Sequence, residues 1–305
     1  MLRAAALSLL LAAAAASPSA AQTLAALGLD AEALPAASPE LVAPGVPSPT
    51  ASPEDGPPPA APPAIRLWRV EAGLRSERAT AALPRGGGIA VALLAKDRMG
   101  GVWRADLDHA SRFGESGVVG GLGYSRAFGR LRTATFVGSS TAGAYHARLR
   151  TAAALGVALG AREQLVLTGT AAYVDARDVH RDVVGTLELA AYPSAGLVAQ
   201  AGLQVARSEP GSAIGVAALG ALVVGAPEAR NVSARARFGR EAYLLVAPAD
   251  GAFPDTDVSF LSGDANVTWR EPLGDALGVR LGGGLYINPY YTRTTLEAGL
   301  SWTVR

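Results

Sequence analysis

The side chains able to do chemistry are few in kind and scattered along the chain. Three histidines occur, His109, His146 and His180, and none stands in an HExxH or other metal-ligand spacing. Ser139 and Ser140 lie close enough before His146 to meet it across a hairpin, as a Ser–His pair for attack on a lipid would require. Such a pair needs a third group to orient the base, and the chain has no GxSxG elbow. The simpler reading is a rim histidine beside loop serines. Cysteine is absent, which excludes a thiol nucleophile and a thiolate metal site. Glycine runs occur at 86–88, 120–123 and 282–284. A phosphate cradle needs such a run to open a helix after a strand. These runs sit inside or beside strand patterns, where glycine permits close backbone packing, curvature or inward space. No catalytic, cofactor-binding or metal-binding residue is assigned, and no cofactor is expected.

What remains is charge placed at regular intervals. Arg148 and Arg150, Arg235 and Arg237, and Asp264, Arg270, Arg280 and Glu297 all fall on the polar side of alternating segments. On the inner face of a closed sheet they would pair across a lumen. That interior has the chemistry to bind an anionic glycan, to conduct small solutes, or to fill itself as a closed structure. The formal net charge of +1 hides an uneven distribution. Residues 22–64 carry Asp30, Glu32, Glu40, Glu54 and Asp55 and no basic residue, whereas 65–305 carry 26 Arg/Lys against 21 Asp/Glu. The basic excess is too dispersed for a nucleic-acid binder.

The elements that must position these residues are strands. Trp68, Val70, Ala72 and Leu74 alternate with Arg69, Glu71, Gly73 and Arg75. Trp103, Ala105, Leu107 and His109 alternate with Arg104, Asp106 and Asp108, and Leu296, Ala298, Leu300, Trp302 and Val304 with Glu297, Gly299, Ser301 and Thr303. Period two is the signature of a sheet with one apolar face. Strands are predicted at 66–76, 87–95, 101–112, 117–128, 131–139, 144–158, 165–175, 182–192, 197–207, 213–224, 230–246, 258–270, 276–286 and 293–304. That makes fourteen, and merging short neighbours makes twelve equally admissible. The eight prolines after residue 64 (Pro84, Pro193, Pro210, Pro227, Pro248, Pro254, Pro272 and Pro289) fall at the predicted turns. Turn-like links such as RAFGR, YPSAG and EPLGD imply sequential hairpins.

A soluble sandwich also alternates, but a core of that size would bury many large side chains, and the whole chain has six Phe and four Trp. Here one face is Leu, Val and Ala with occasional Trp, and the other Gly, Thr, Ser, Arg, Asp and Glu. Segments of 9–13 residues suit tilted membrane crossings. The fold class is therefore all-β, a transmembrane antiparallel up-and-down β-barrel of 12–14 strands. Trp68, Trp269, Trp302, Tyr124, Tyr192, Tyr243 and Tyr286 lie near segment ends, where interfacial girdles belong. With the amino terminus periplasmic, the two longest connections, 76–86 and 247–257, face outward, as is usual for such barrels.

Two segments precede the barrel at 65–305. Residues 1–21 have a basic start at Arg3, an apolar run from Ala4 to Ala16 and small residues to Ala21, the pattern of a cleaved signal peptide. Residues 22–64 hold eleven prolines between Pro35 and Pro63, a disordered Pro/Ala-rich periplasmic spacer by composition.

The last third of the chain resembles the YaiO-family outer-membrane β-barrel proteins. The resemblance is carried by Phe238, Gly239, Glu241 and Tyr243, by Ser262 and Gly263, and by Asn288, Pro289, Tyr290 and Tyr291. It implies a location in the cell outer membrane and a barrel fold over about 65–305, with no activity attached. Some relatives carry a tetratricopeptide-like region where this chain has its spacer, and Arg305 stands where such barrels commonly end in an aromatic residue. The expected role is a non-enzymatic outer-membrane barrel in surface polysaccharide handling or passive solute passage. The alternatives are an outer-membrane lipid-modifying enzyme using His146 and a secreted soluble β-rich binding protein. Expected partners are outer-membrane lipids and lipopolysaccharide, the barrel-assembly machinery, and a polysaccharide or small solute.

Overall fold

The structure, a computed structural model, describes residues 65–80, 83–112, 114–141, 147–160, 163–176, 180–226, 229–245 and 256–304. The signal peptide at 1–21, the spacer at 22–64, His146, and Pro227, Pro248 and Pro254 lie outside them. Among the described residues every regular element is a strand: β1 (Ile65–Ala79), β2 (Gly86–Asp97), β3 (Val102–Arg112), β4 (Glu115–Phe128), β5 (Leu131–Ser140), β6 (Leu149–Leu159), β7 (Leu165–Asp175), β8 (Arg181–Ser194), β9 (Leu197–Glu209), β10 (Ala213–Gly225), β11 (Asn231–Leu245), β12 (Thr256–Pro272), β13 (Leu277–Ile287) and β14 (Thr292–Thr303). Each pairs antiparallel with its sequence neighbours, and β1 pairs with β14 from Arg69↔Thr303 to Ala79↔Arg293, closing the barrel. The strand number is fourteen, not twelve, because no adjacent pieces merge.

Alternation decides which face is which. Leu74, Leu107, Leu155, Leu187, Leu203 and Leu300 are exposed on the outer face, while their chain neighbours turn inward. An outer band of Leu and Val with no aqueous partner is what hydrocarbon requires. Closure pairs every edge strand, so no row of N–H and C=O groups is left facing lipid. The soluble-protein alternative fails on this outer band.

Both ends of the barrel strand sequence, Ile65 and Thr303, lie at one end, called the terminal end below. Turns there are tight. Gly129 (φ 58°) opens the β4–β5 link and Gly196 (φ 86°) ends the β8–β9 link, positions that favour glycine over any L side chain. The longest connections, 141–148 and 246–255, sit at the opposite end. The strand expected from residue 144 begins instead at Leu149. The Ser139 and Ser140 hydroxyls donate to the backbone carbonyls of Arg148 (2.6 Å) and Ala147 (2.9 Å), which takes the chain out of the ladder. Pro193 falls inside β8 rather than in the turn, at a register irregularity between Ala191 and Ser194 where no ladder donor is needed.

The inner face has two textures. On β6–β10 near the terminal end, Ala158, Val166, Ala190, Val198 and Val223 form a buried apolar cluster with Tyr192 packed against it. Charged side chains gather on the inner faces of β1–β3 and β11–β14.

Leu203→Arg, at the middle of β9 on the outer face (61 % exposed), should cost about 2–4 kcal/mol if that face meets the bilayer midplane. Urea unfolding of the barrel in lipid vesicles measures it, and an unchanged midpoint would contradict a lipid-facing wall.

Candidate functional site

Inward positions on β11–β14 converge on one carboxylate at the long-loop end. Arg237, Gly239, Glu241 and Tyr243 share the inner face of β11, two residues apart. Arg237 Nη1 donates to Glu241 Oε1 at 2.9 Å, and the Ser262 hydroxyl on β12 donates to the same oxygen. The Tyr286 hydroxyl on β13 donates to Glu241 Oε2 at 3.2 Å. Asn288 Nδ2 in turn donates to the Tyr286 hydroxyl at 3.1 Å, and Asn288 Oδ1 accepts the backbone N–H groups of Tyr290 and Tyr291, both at 2.8 Å. Arg237 Nε donates to Gln204 Oε1 on β9 at 3.0 Å, with Asp264 at 3.7 Å from Nη1. Every one of these hub side chains except Asp264 is buried or nearly so, which a carboxylate tolerates only when its oxygens are filled.

Aromatic edges pack around the hub. Tyr243, 1 % exposed, meets Phe260 and His180 edge-on at 6.3 Å, Phe260 meets Tyr290 at 5.3 Å, and Tyr286 meets Tyr291 at 5.6 Å. Burial pushes the Tyr290 hydroxyl above its ordinary value, so it stays neutral.

The residues that carried the sequence resemblance therefore assemble one structure. Gly239 has a steric cause: a Cβ there would stand 2.3 Å from Ala217 Cα on β10. With Gly215 and Ala217 also small and inward, β9 and β11 come within 8 Å in Cα position, and Arg237 reaches Gln204 over the strand between them. Gly263 faces outward and leaves room for the exposed Phe238 ring, 3.4 Å from where its Cβ would be.

A second group stands on β1–β3. Arg112 Nε and Nη2 donate to Glu77 Oε2 and Oε1 at 2.9 and 2.7 Å, and Arg75 Nη2 donates to Asp108 at 3.0 Å. Both bridges cross β2 at glycine: a Cβ on Gly86 would lie 3.5 Å from Glu77 Cβ, and one on Gly88 would lie 3.0 Å from Asp108 Oδ1. This is the inward space the glycine run was expected to supply.

The predicted inward charges divide as follows. Arg237 meets Asp264, and Arg280 lies 3.8 Å from Glu297. Arg148, more than half exposed just before β6, pairs with Asp175 at 2.5 Å. Arg150, Arg235 and Arg270 are inward and half-buried. The pairs of Arg237, Arg280 and Arg148 each join neighbouring strands along the wall. A round barrel of this strand number is on the order of 25 Å across at a spacing of about 4.8 Å, which is beyond two facing side chains. The girdle assignment also needs correction. Tyr124, Trp269 and Trp302 face outward near the terminal end, with Tyr124 against Trp103 at 4.6 Å. Tyr192, Tyr243 and Tyr286 face inward, because each shares strand parity with buried interior neighbours. Ser139 and Ser140 spend their hydroxyls on backbone carbonyls, and His180 is buried against Tyr243. Glu77, Arg112 and Asp108 were not singled out in the sequence. The available signal was their place on polar faces flanking a glycine run.

Glu241→Ala leaves Arg237 buried with Asp264 at 3.7 Å as its nearest carboxylate, and should cost about 3 kcal/mol or more. Tyr286→Phe removes two hydrogen bonds, to Glu241 and from Asn288, but no charge partner, and should cost about 1–2 kcal/mol. Unfolding midpoints followed by heat-modifiable gel migration rank the two, and equal losses would refute the hub.

The model of the family described as YaiO membrane beta barrel domain matches residues 89–244. No curated protein matches the chain. Among solved structures, the chain is similar to the outer membrane protein Omp33 of Acinetobacter baumannii at 10 % identity, over 78 % of this chain and 99 % of that one, with a TM-score of 0.45. It is also similar to a bacterial polysaccharide outer membrane secretin (10 % identity, 79 % and 99 % coverage, TM-score 0.48) and to a loop-deleted OmpT of Vibrio cholerae (6 % identity, 79 % and 100 % coverage, TM-score 0.45). The family match covers β3–β10 whole and most of β2 and β11, and it takes in the Phe238–Tyr243 segment that builds the hub. With the closed fourteen-strand barrel and its apolar outer band, the chain belongs to the YaiO membrane β-barrel family and is a protein of the outer membrane.

Proposed function

We propose that this barrel is non-enzymatic and lets small polar solutes through its lumen. The observation that supports this is the accessibility of inward charges away from the hub. Side chains of Arg104 (38 %), Asp106 (33 %) and Arg280 (35 %) remain in reach of solvent inside the wall. Arg104 Nε holds both Asp106 oxygens at 2.9 and 3.0 Å, so the two signs stand side by side. A lumen lined this way discriminates weakly by charge and favours hydrated solutes with many hydroxyls. Half-buried Tyr290 and exposed Pro289 at the long-loop mouth favour a saccharide among them, and with it a role in surface polysaccharide handling. Outer-membrane lipids with lipopolysaccharide surround the outer band in this reading, and the barrel-assembly machinery inserts the chain.

Folded protein, identified by heat-modifiable migration, is added to a planar lipid bilayer. Stepwise conductance with weak ion selectivity is expected. Arg104→Ala should move the reversal potential toward cations, and Asp106→Asn toward anions. Folded protein that gives no steps overturns the proposal.

A further inference from the structure

We propose that the terminal mouth of the lumen holds a binding site for an oxyanion, the carboxylate or phosphate group of a small solute, centred on the guanidinium of Arg280. The inference rests on the lumen reading above and names the chemistry such a lumen would select.

A cavity of about 150 Å³ opens there between β1, β12, β13 and β14. Arg69, Glu71, Arg270, Arg280 and Ser301 line it from the inner wall, and the Gly274–Ala276 turn forms its rim. At about 30 Å³ per water, the space takes a carboxylate or phosphate group with some water. Arg280 differs from the other arginines of the wall in what holds it. Its ion pair to Glu297 is 3.8 Å long, and its guanidinium makes no hydrogen bond to another described residue. It lies instead on a glycine floor that reaches two strands away. A Cβ on Gly299 would stand 3.6 Å from Nε, and one on Gly73 would stand 3.4 Å from Nη2. Both glycines are inward, so the guanidinium comes close to backbone with its donors unspent.

The carboxylates bordering the cavity have partners of their own. Glu271 gives both oxygens to Arg230, at 2.5 and 2.6 Å. Glu71 sits 3.8 Å from Arg69 Nε, and Asp275 on the turn is itself engaged. The cavity therefore carries no large net charge. Its preference for an anion comes from a positioned donor fork without acceptors, and a guanidinium fork matches carboxylate and phosphate in two-point geometry. The Ser301 hydroxyl adds a further donor on the same wall.

Calorimetric titration of the full folded chain in detergent tests this without needing conductance. The probes are inorganic phosphate and glucuronate, with glucose as the neutral control. Phosphate and glucuronate should bind with a Kd on the order of millimolar and compete, and glucose should not bind. Arg280→Ala should weaken both at least tenfold, and Gly73→Ala, which crowds the floor, should weaken them less. Arg207→Ala, on the outer face, should leave them unchanged. If Arg280→Ala does not fold, Arg280→Lys keeps the charge, removes the fork and should weaken binding at least threefold. Glucose binding as tightly as glucuronate, no binding of either anion, or wild-type affinity in both Arg280 variants overturns the site. A barrel that conducts but binds neither anion refutes the site and leaves solute passage standing. A barrel that binds but does not conduct does the reverse.

Discussion

The structure depends on one requirement: in hydrocarbon, no backbone donor or acceptor goes unpaired. For strands this is met only by a sheet that returns to its own first edge, and here that return is the β1–β14 ladder. Period-two alternation follows from it. Once the sheet is closed, every residue must face either lipid or lumen, so most Leu takes the outer parity and most Arg, Asp and Glu the inner one. The three clean alternations at 68–75, 103–109 and 296–304 are that requirement written in the chain.

Within the closed wall, polar side chains find partners by stepping over a strand. Arg112–Glu77 and Arg75–Asp108 step over β2, Arg237–Gln204 over β10, and Tyr286–Glu241 over β12. Each step needs a small residue beneath it. Gly86, Gly88, Ala217 and Ser262 supply it, and in the last case the underlying residue joins the bond. Abundant glycine and abundant arginine are therefore one feature: removing side chains from one strand lets its two neighbours cross-link. A network linking second neighbours braces the wall against shear in a way the ladder alone does not.

The fold was legible in the sequence nearly strand for strand, because the period-two signal is local and strong. The β7 limits, 165–175, coincide with the expected ones, and most others differ by one to three residues. The main exception, at 144–149, was misread because alternation continued into residues whose backbone carbonyls are taken by Ser139 and Ser140 hydroxyls. The interior was legible in its parity but not in its pairing. Parity put Arg237, Asp264, Arg280 and Glu297 inside. Which partner each takes depends on strand stagger and on the size of the residue between, and neither is a local property. Tyr243 and Tyr286 were misplaced for a related reason. A tyrosine near a strand end suits an interface, but these two have inward parity and a carboxylate within reach. The hub was foreshadowed only by the resemblance, whose scattered residues become one assembly once β11–β14 stand side by side.

The close approach of β9 and β11 bends the wall unevenly. Second-neighbour strands in an evenly curved sheet lie about 9–10 Å apart at a spacing of about 4.8 Å, whereas these come within 8 Å. The sheet is creased at β10. The turning of a closed loop sums to one full circle, so angle concentrated in a crease is angle withheld elsewhere, and the remaining wall runs flatter.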